Sequence, residues 1–229
     1  MNPVEASKVG AKIHGISLLE ANALGVDAFY GATRLPRGPG RIIVAASDFG
    51  DADASPWVEA SGGALRLEDS LTPTSSAAVT HLLAHGTDTL HPMFFRGIRL
   101  DKAIESTTLD FHKALRIAIP GLVVLSSCAA ADAPRRSGDG AVHGTIGGAL
   151  LMGEAHTIVH SFAQIRFLPH QELMTEFYRG LGAGRSTRAA LRDARAHWAR
   201  AHSSEWLFRF EHAQLHAVGA AHLAPLGPK

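Results

Sequence analysis

The stretch Pro120-Gly-Leu-Val-Val-Leu-Ser-Ser-Cys128 decides the reading of the fold. It is a short aliphatic, β-branched run with no polar alternation until its end, the pattern of a strand buried on both faces of a parallel sheet. It closes on two serines and on the single cysteine of the chain. A second run upstream, Ala78-Val-Thr-His-Leu-Leu-Ala-His-Gly86, has the same character and closes on a His-Gly pair. If the two strands are parallel neighbours, their carboxyl ends lie side by side, at the edge where ligands collect in open α/β sheets. The imidazole of His85 and the thiol of Cys128 would then face each other across one strand spacing of about 5 Å. A thiol beside an imidazole is a nucleophile with its base. A lone cysteine in an apolar strand also reads as an inert core thiol, and pattern alone leaves both readings open.

Working outward from these two runs, residues 101–117 read as the crossover helix that two parallel strands require, with Ile104, Phe111 and Leu115 on one face. Between them and Gly86, residues 87–92 read as a loop and 94–100 as a hairpin. Further out, Arg41-Ile-Ile-Val-Ala-Ala-Ser47 is a first core strand with residues 48–53 as its exit loop, and residues 55–76 show no assignable pattern. Beyond Cys128, residues 129–140 read as an exposed loop, of the kind that carries function at strand ends. Residues 141–153 follow as a glycine-rich helix and residues 155–162 as another strand. Two helices come next, one striped by Leu173, Phe177 and Leu181, the other capped by Ser186 and burying Ala190, Leu191, Ala194 and Trp198. Residues 206–218 alternate as a last, edge-like strand, and the tail from Leu223 reads as loose.

At 229 residues, without repeats or a linker, the chain is expected to be one α/β domain over 1–229. A net charge of +1 gives no general attraction to nucleic acid or membrane surfaces. Arg188, Arg192 and Arg195 share a helix face, which is more simply a solvated face than a nucleic-acid patch. No segment reaches membrane-spanning length, and one cysteine suits a reducing compartment, so a cytoplasmic protein is expected. The fourteen histidines raise the question of metal. The pairs His81/His85, His156/His160 and His212/His216 fall on strands, where residues four apart lie about 13 Å from each other. No flanking cysteine or HExxH glutamate supports them or His197/His202. Neither a metal nor another cofactor is expected.

Four separated segments together resemble one family: Val79-Thr-His-Leu-Leu-Ala-His-Gly86, Leu122-Val-Val-Leu-Ser-Ser-Cys128, Glu154-Ala-His-Thr-Ile-Val-His-Ser-Phe162, and Leu173-Met-Thr-Glu-Phe-Tyr-Arg-Gly-Leu181 through Ala189-Ala-Leu191. They look like the CHAT family of caspase- and separase-like cysteine peptidases, with the resemblance strongest over residues 78–219. It implies a caspase-like, mostly parallel β-sheet flanked by helices on both faces, and endopeptidase activity on a protein or peptide from a His-Cys dyad. Those roles fall on His85 and Cys128, with His81 belonging to the strand. Backbone N–H groups of Cys128 and Gly86 are the natural oxyanion donors. Members of this family are often joined to sensor regions, so a regulatory protein partner is expected. The alternative is a catalytically idle caspase-like module used for protein interaction.

Two positions depart from the family pattern. Where separase-like members carry an acidic pair suited to a basic substrate residue, this chain has Arg166 and Phe167. Arg166, with Gln164 near it, would repel Arg or Lys and hold Asp or Glu, while Asp132 or Asp139 would form the pocket if Arg166 is merely a loop residue. An acidic residue often found directly after the cysteine is Ala129 here.

Overall fold

A computed structural model describes residues 36, 38–45, 51–69, 71, 77–88, 96–99, 108–109, 111–114, 116–127, 146–161, 165–202 and 215–226. The elements in chain order are β1 (Gly40–Val44), α1 (Asp51–Ala60), β2 (Leu65–Glu68), β3 (Val79–Leu83), β4 (Gly86–Asp88), β5 (Arg96–Arg99), β6 (Thr108–Leu109) and α2 (Phe111–Ala114). Then follow β7 (Gly121–Ser126), α3 (Ile146–Met152), β8 (Ala155–Ser161), α4 (Phe167–Gly182), α5 (Thr187–Ala201) and β9 (Leu215–Gly219).

Six strands form one sheet in the order β2-β1-β3-β7-β8-β9, and every pairing is parallel except that of β9 with β8. The two apolar runs are therefore the central neighbours, β3 against β7, registered from Val79↔Leu122 to Leu83↔Ser126. Strand alternation sorts their side chains between two cores. Val79, Leu83, Leu122 and Val124 pack with Trp57 of α1 and with the buried stripes of α4 and α5. Leu82, Ala84, Val123 and Leu125 pack with Ala114 of α2 and with Ile146, Ala149 and Leu150 of α3. Helices thus cover both faces, as a parallel sheet requires. Among the described residues no helix is long and apolar enough to cross a membrane.

Several sequence expectations need correction. The single helix expected over 101–117 is interrupted: residues 108–109 are strand β6, where the β-branched Thr108 pairs with Arg99, and among the described residues of this stretch 111–114 are helical. Residues 86–88, expected to be loop from 87 on, are β4, which joins β5 and β6 in a three-stranded antiparallel sheet. The exit loop placed at 48–53 is already helical at Asp51. Acidic residues favour a first turn, and Pro56 sits inside α1 without ending it. Residues 55–69, unassigned in the sequence, hold most of α1 and β2. The last strand spans Leu215–Gly219 at the sheet edge, and residues 203–214 lie outside the described part. The tail is tied down through Leu226: the Thr187 and Arg188 N–H groups, left open at the start of α5, donate to the carbonyls of Leu223 and Ala221.

Gly121 opens β7 with φ +86°, and a Cβ there would stand 2.5 Å from the Ala78 carbonyl oxygen. Its N–H donates to His156 Nδ1 at 3.0 Å. Gly121→Ala combines backbone strain with a collision against main chain that cannot rotate away, and should cost roughly 3 kcal/mol. A urea midpoint within 0.3 kcal/mol of the parent would contradict this account of β7.

Candidate active site

The sheet brings the ends of β3 and β7 to one edge. Ala84 N–H donates to the Ser126 carbonyl at 3.1 Å, the last backbone bond across this seam among the described residues. On the other side of β3, Ala45 N–H donates to the Leu83 carbonyl at 2.8 Å. His85 follows immediately, half-buried, and Gly86 begins β4, so the chain turns out of the sheet at the His-Gly pair. On β7 the edge holds Ser126 and Ser127, both buried. The Ser127 hydroxyl has no hydrogen-bond partner among the described residues. Cys128, Asp132 and Gln164 lie outside the described residues.

Arg166 stands at the same edge. It follows the carboxyl end of β8 and is the N-cap of α4, exposed, with its carbonyl accepting the His170 N–H at 3.0 Å. The structure thus sets His85 and Gly86 past the carboxyl end of β3 and Arg166 past that of β8. Arg192 of the basic helix face pairs with Asp193 at 3.0 Å and is exposed.

Beneath this edge lies a buried polar chain. Tyr178 Oη meets His81 Nδ1 at 2.8 Å, His81 Nε2 meets Ser126 Oγ at 2.5 Å, and Ser126 Oγ meets His170 Nε2 at 2.5 Å. All four side chains are at most 5% exposed. Trp57 seals it by stacking on His81 with centroids 4.5 Å apart, and Trp57 Nε1–H is itself satisfied by the Gln171 carbonyl at 3.0 Å. Burial pushes the His81 imidazole well below its ordinary pKa, and a second push comes from His170. Burial lowers His170 to about 3 and raises the Tyr178 phenol well above its usual range. The chain is therefore neutral at pH 7. Elsewhere, His160 of β8 is driven to about 3 by burial, then by His216 opposite it on β9. Gly147 of α3 leaves it room, because a Cβ there would lie 2.7 Å from its Nδ1.

Sequence reading missed this chain. His170 lies three residues before Leu173 and extends the apolar stripe of α4, and Tyr178 lies next to Phe177 of that stripe. A histidine and a tyrosine on one apolar helix face were the available signal, since buried polar groups need partners.

No curated protein matches the chain in sequence. Among solved structures its fold is similar to the Arg specific cysteine proteinase gingipain R, at 10% identity and TM-score 0.57 over 88% of this chain and 52% of that one. It is equally similar to the complex of pro- and mature domains of Porphyromonas gingivalis RgpB, at 9% identity and TM-score 0.55 over 91% of this chain and 54% of that one. A structure described as a protease matches at 9% identity and TM-score 0.58, over 93% and 54% of the respective chains. The chain spans about half the length of these structures. The fold is thus the caspase-like α/β sheet of these cysteine peptidases. Residues 30–219 match the family model of the CHAT domain, and the chain belongs to that family.

Proposed function

We propose that this protein is a cysteine endopeptidase in which His85 and Cys128 form the catalytic dyad. The observation that supports this most is the β3–β7 register. The last paired residues are Leu83 and Ser126, and His85 and Cys128 each follow their own partner by two residues. An equal offset on adjacent parallel strands preserves both the level and the face, because side chains repeat every two residues.

The chemistry follows from those positions. The Cys128 thiolate attacks the scissile carbonyl carbon, and the electron pair of the C=O bond moves to oxygen. Backbone N–H groups of Cys128 and Gly86 donate to that oxyanion. Collapse of the intermediate breaks the C–N bond, His85 gives its proton to the leaving amine, and a thioester remains. Water activated by the now neutral His85 hydrolyses it and restores the thiol. No cofactor enters this sequence. A thiol that must stay free suits the reducing cytoplasm, and a partner protein would control the enzyme.

Arg166, with Gln164 and Asp132, is assigned to substrate binding. Arg166 is exposed at the site edge, and Leu168 two residues on is 73% exposed, so the rim offers a guanidinium beside an apolar surface. A guanidinium favours an acidic substrate residue, the opposite of the arginine named in the description of gingipain R. In a peptide-library digest, cleavage should follow Asp or Glu and vanish in Cys128→Ala. Arg166→Glu should lower it about 10–100-fold, the worth of one charged hydrogen bond. Strong cutting after Arg by the parent protein would reject the acidic preference. Absence of Cys128-dependent cleavage of any peptide or protein would leave an interaction module instead.

A further inference from the structure

We propose that the buried Tyr178–His81–Ser126–His170 chain positions the dyad, by fixing the height and facing of the two strand ends that carry it. This deepens the dyad reading and rests on it. The backbone ladder between β3 and β7 stops at Ala84 N–H to the Ser126 carbonyl. His85 follows Ala84 directly, two residues past the end of β3, and Cys128 lies two residues past Ser126 in the sequence. Ser126, two residues before Cys128 in the sequence, has its hydroxyl held at 2.5 Å from two imidazoles at once. One of them comes from β3, the strand that delivers His85. The other comes from α4, one turn after Arg166.

Proton accounting makes this brace directional. Ser126 has one hydroxyl hydrogen, so it donates to one imidazole and accepts from the other. In one order Tyr178 O–H donates to His81 Nδ1, His81 Nε2–H donates to Ser126, and Ser126 donates to His170 Nε2. In the reverse order His170 Nε2–H donates to Ser126, Ser126 donates to His81 Nε2, and His81 Nδ1–H donates to Tyr178. Either order satisfies all three links with both rings neutral. Two protonated rings would aim two N–H groups at one oxygen and leave the hydroxyl hydrogen facing no acceptor. A fully paired buried network of this kind fixes one geometry more sharply than apolar packing does. It also ties together β3, β7, α4 and, through the Trp57 stack, α1.

Because Cys128 is the only cysteine, its alkylation by iodoacetamide can be followed across pH without a substrate. The midpoint of the rate profile reports how well the imidazole supports the thiolate. An unsupported thiol titrates near pH 8.5, and one beside an imidazolium titrates below roughly 7.5. The parent midpoint should be low, and His85→Ala should move it to about 8.5. Ser126→Ala and His170→Leu should raise it by at least half a unit, equivalent to a threefold loss of thiolate at low pH. His170→Gln, whose amide reaches the Nε2 position, should restore most of the shift. Tyr178→Phe should raise it less, and with the His170 pair it carries the test if Ser126→Ala does not fold. A merely structural network would lower the urea midpoint in these variants and leave the alkylation midpoint where it was. That result, with His85→Ala still shifting the profile, would overturn the positioning role and spare the dyad. If His85→Ala leaves the midpoint unmoved, the dyad reading falls and takes this inference with it.

Discussion

Lowering the pH from 7 to 5 should remove at least about 4 kcal/mol of folding stability, a large share of the 5–15 kcal/mol typical of native domains. The reason is three histidines that the fold keeps neutral. His160 and His170 are each held to about 3, and His81 lies well below its ordinary value, with burial the leading cause in all three. Unfolded, each would titrate near 6.5. The sign follows from proton binding: between pH 6.5 and about 3 the unfolded chain holds protons that the folded chain refuses. Stability is therefore complete above the unfolded value and is lost as pH falls below it. His160 and His170 each contribute about 1.4 kcal/mol per pH unit, so about 2 kcal/mol each at pH 5, and His81 adds to the loss in the same direction. Urea titrations at pH 7, 6 and 5 check the sum, and a flat profile would refute it. His170→Gln removes one titrating ring and should make the profile shallower. Activity should fail in acid at the same pH as the fold, whatever the dyad itself does.

How much of this was legible in the sequence varies with how local the cause is. β3, β7 and β8 were readable because they are apolar on both faces, and no neighbouring residue competes with that pattern. The α4 stripe and the Ser186 cap were readable because a 3.6-residue period and an N-cap are properties of one short segment. Both succeed on local information. The crossover between β3 and β7 was misread because its local pattern is decided by a partner: Thr108 is strand only because β5 lies beside it. α1 was misread because Gly50, Ser55 and Pro56 look like breakers, while the burial of Trp57 against His81 that rewards the helix joins residues far apart in sequence. For the site, His85 was legible from the strand end it sits on. Ser126, His170 and Tyr178 were not, because a serine in a strand and a histidine on a helix acquire meaning only when the fold brings them within 2.5 Å of each other.

His81 and His85, one helical-turn spacing apart in the sequence, should respond to alanine in opposite ways. His85→Ala removes a half-buried ring at the strand end and should change stability by no more than about 1 kcal/mol. It should reduce kcat/KM on a cleaved peptide by about 1,000-fold, within the range set by loss of a positioned acid–base group. His81→Ala strands the Tyr178 hydroxyl in the core, takes one of the two imidazole partners from Ser126 and leaves a void under Trp57. A buried orphan costs about 1–3 kcal/mol and the cavity adds to that, so the loss should reach about 4 kcal/mol. The two readouts separate function from folding within one strand. Parallel urea titration and peptide cleavage of both variants would decide it. A folded His85→Ala protein that keeps a tenth of the parent rate would deny His85 its role. A His81→Ala protein as stable as the parent would deny that the buried chain holds the seam together. The difference between them is one of depth: one ring is enclosed by Trp57, Tyr178 and Ser126, and the other stands where the chain leaves the sheet.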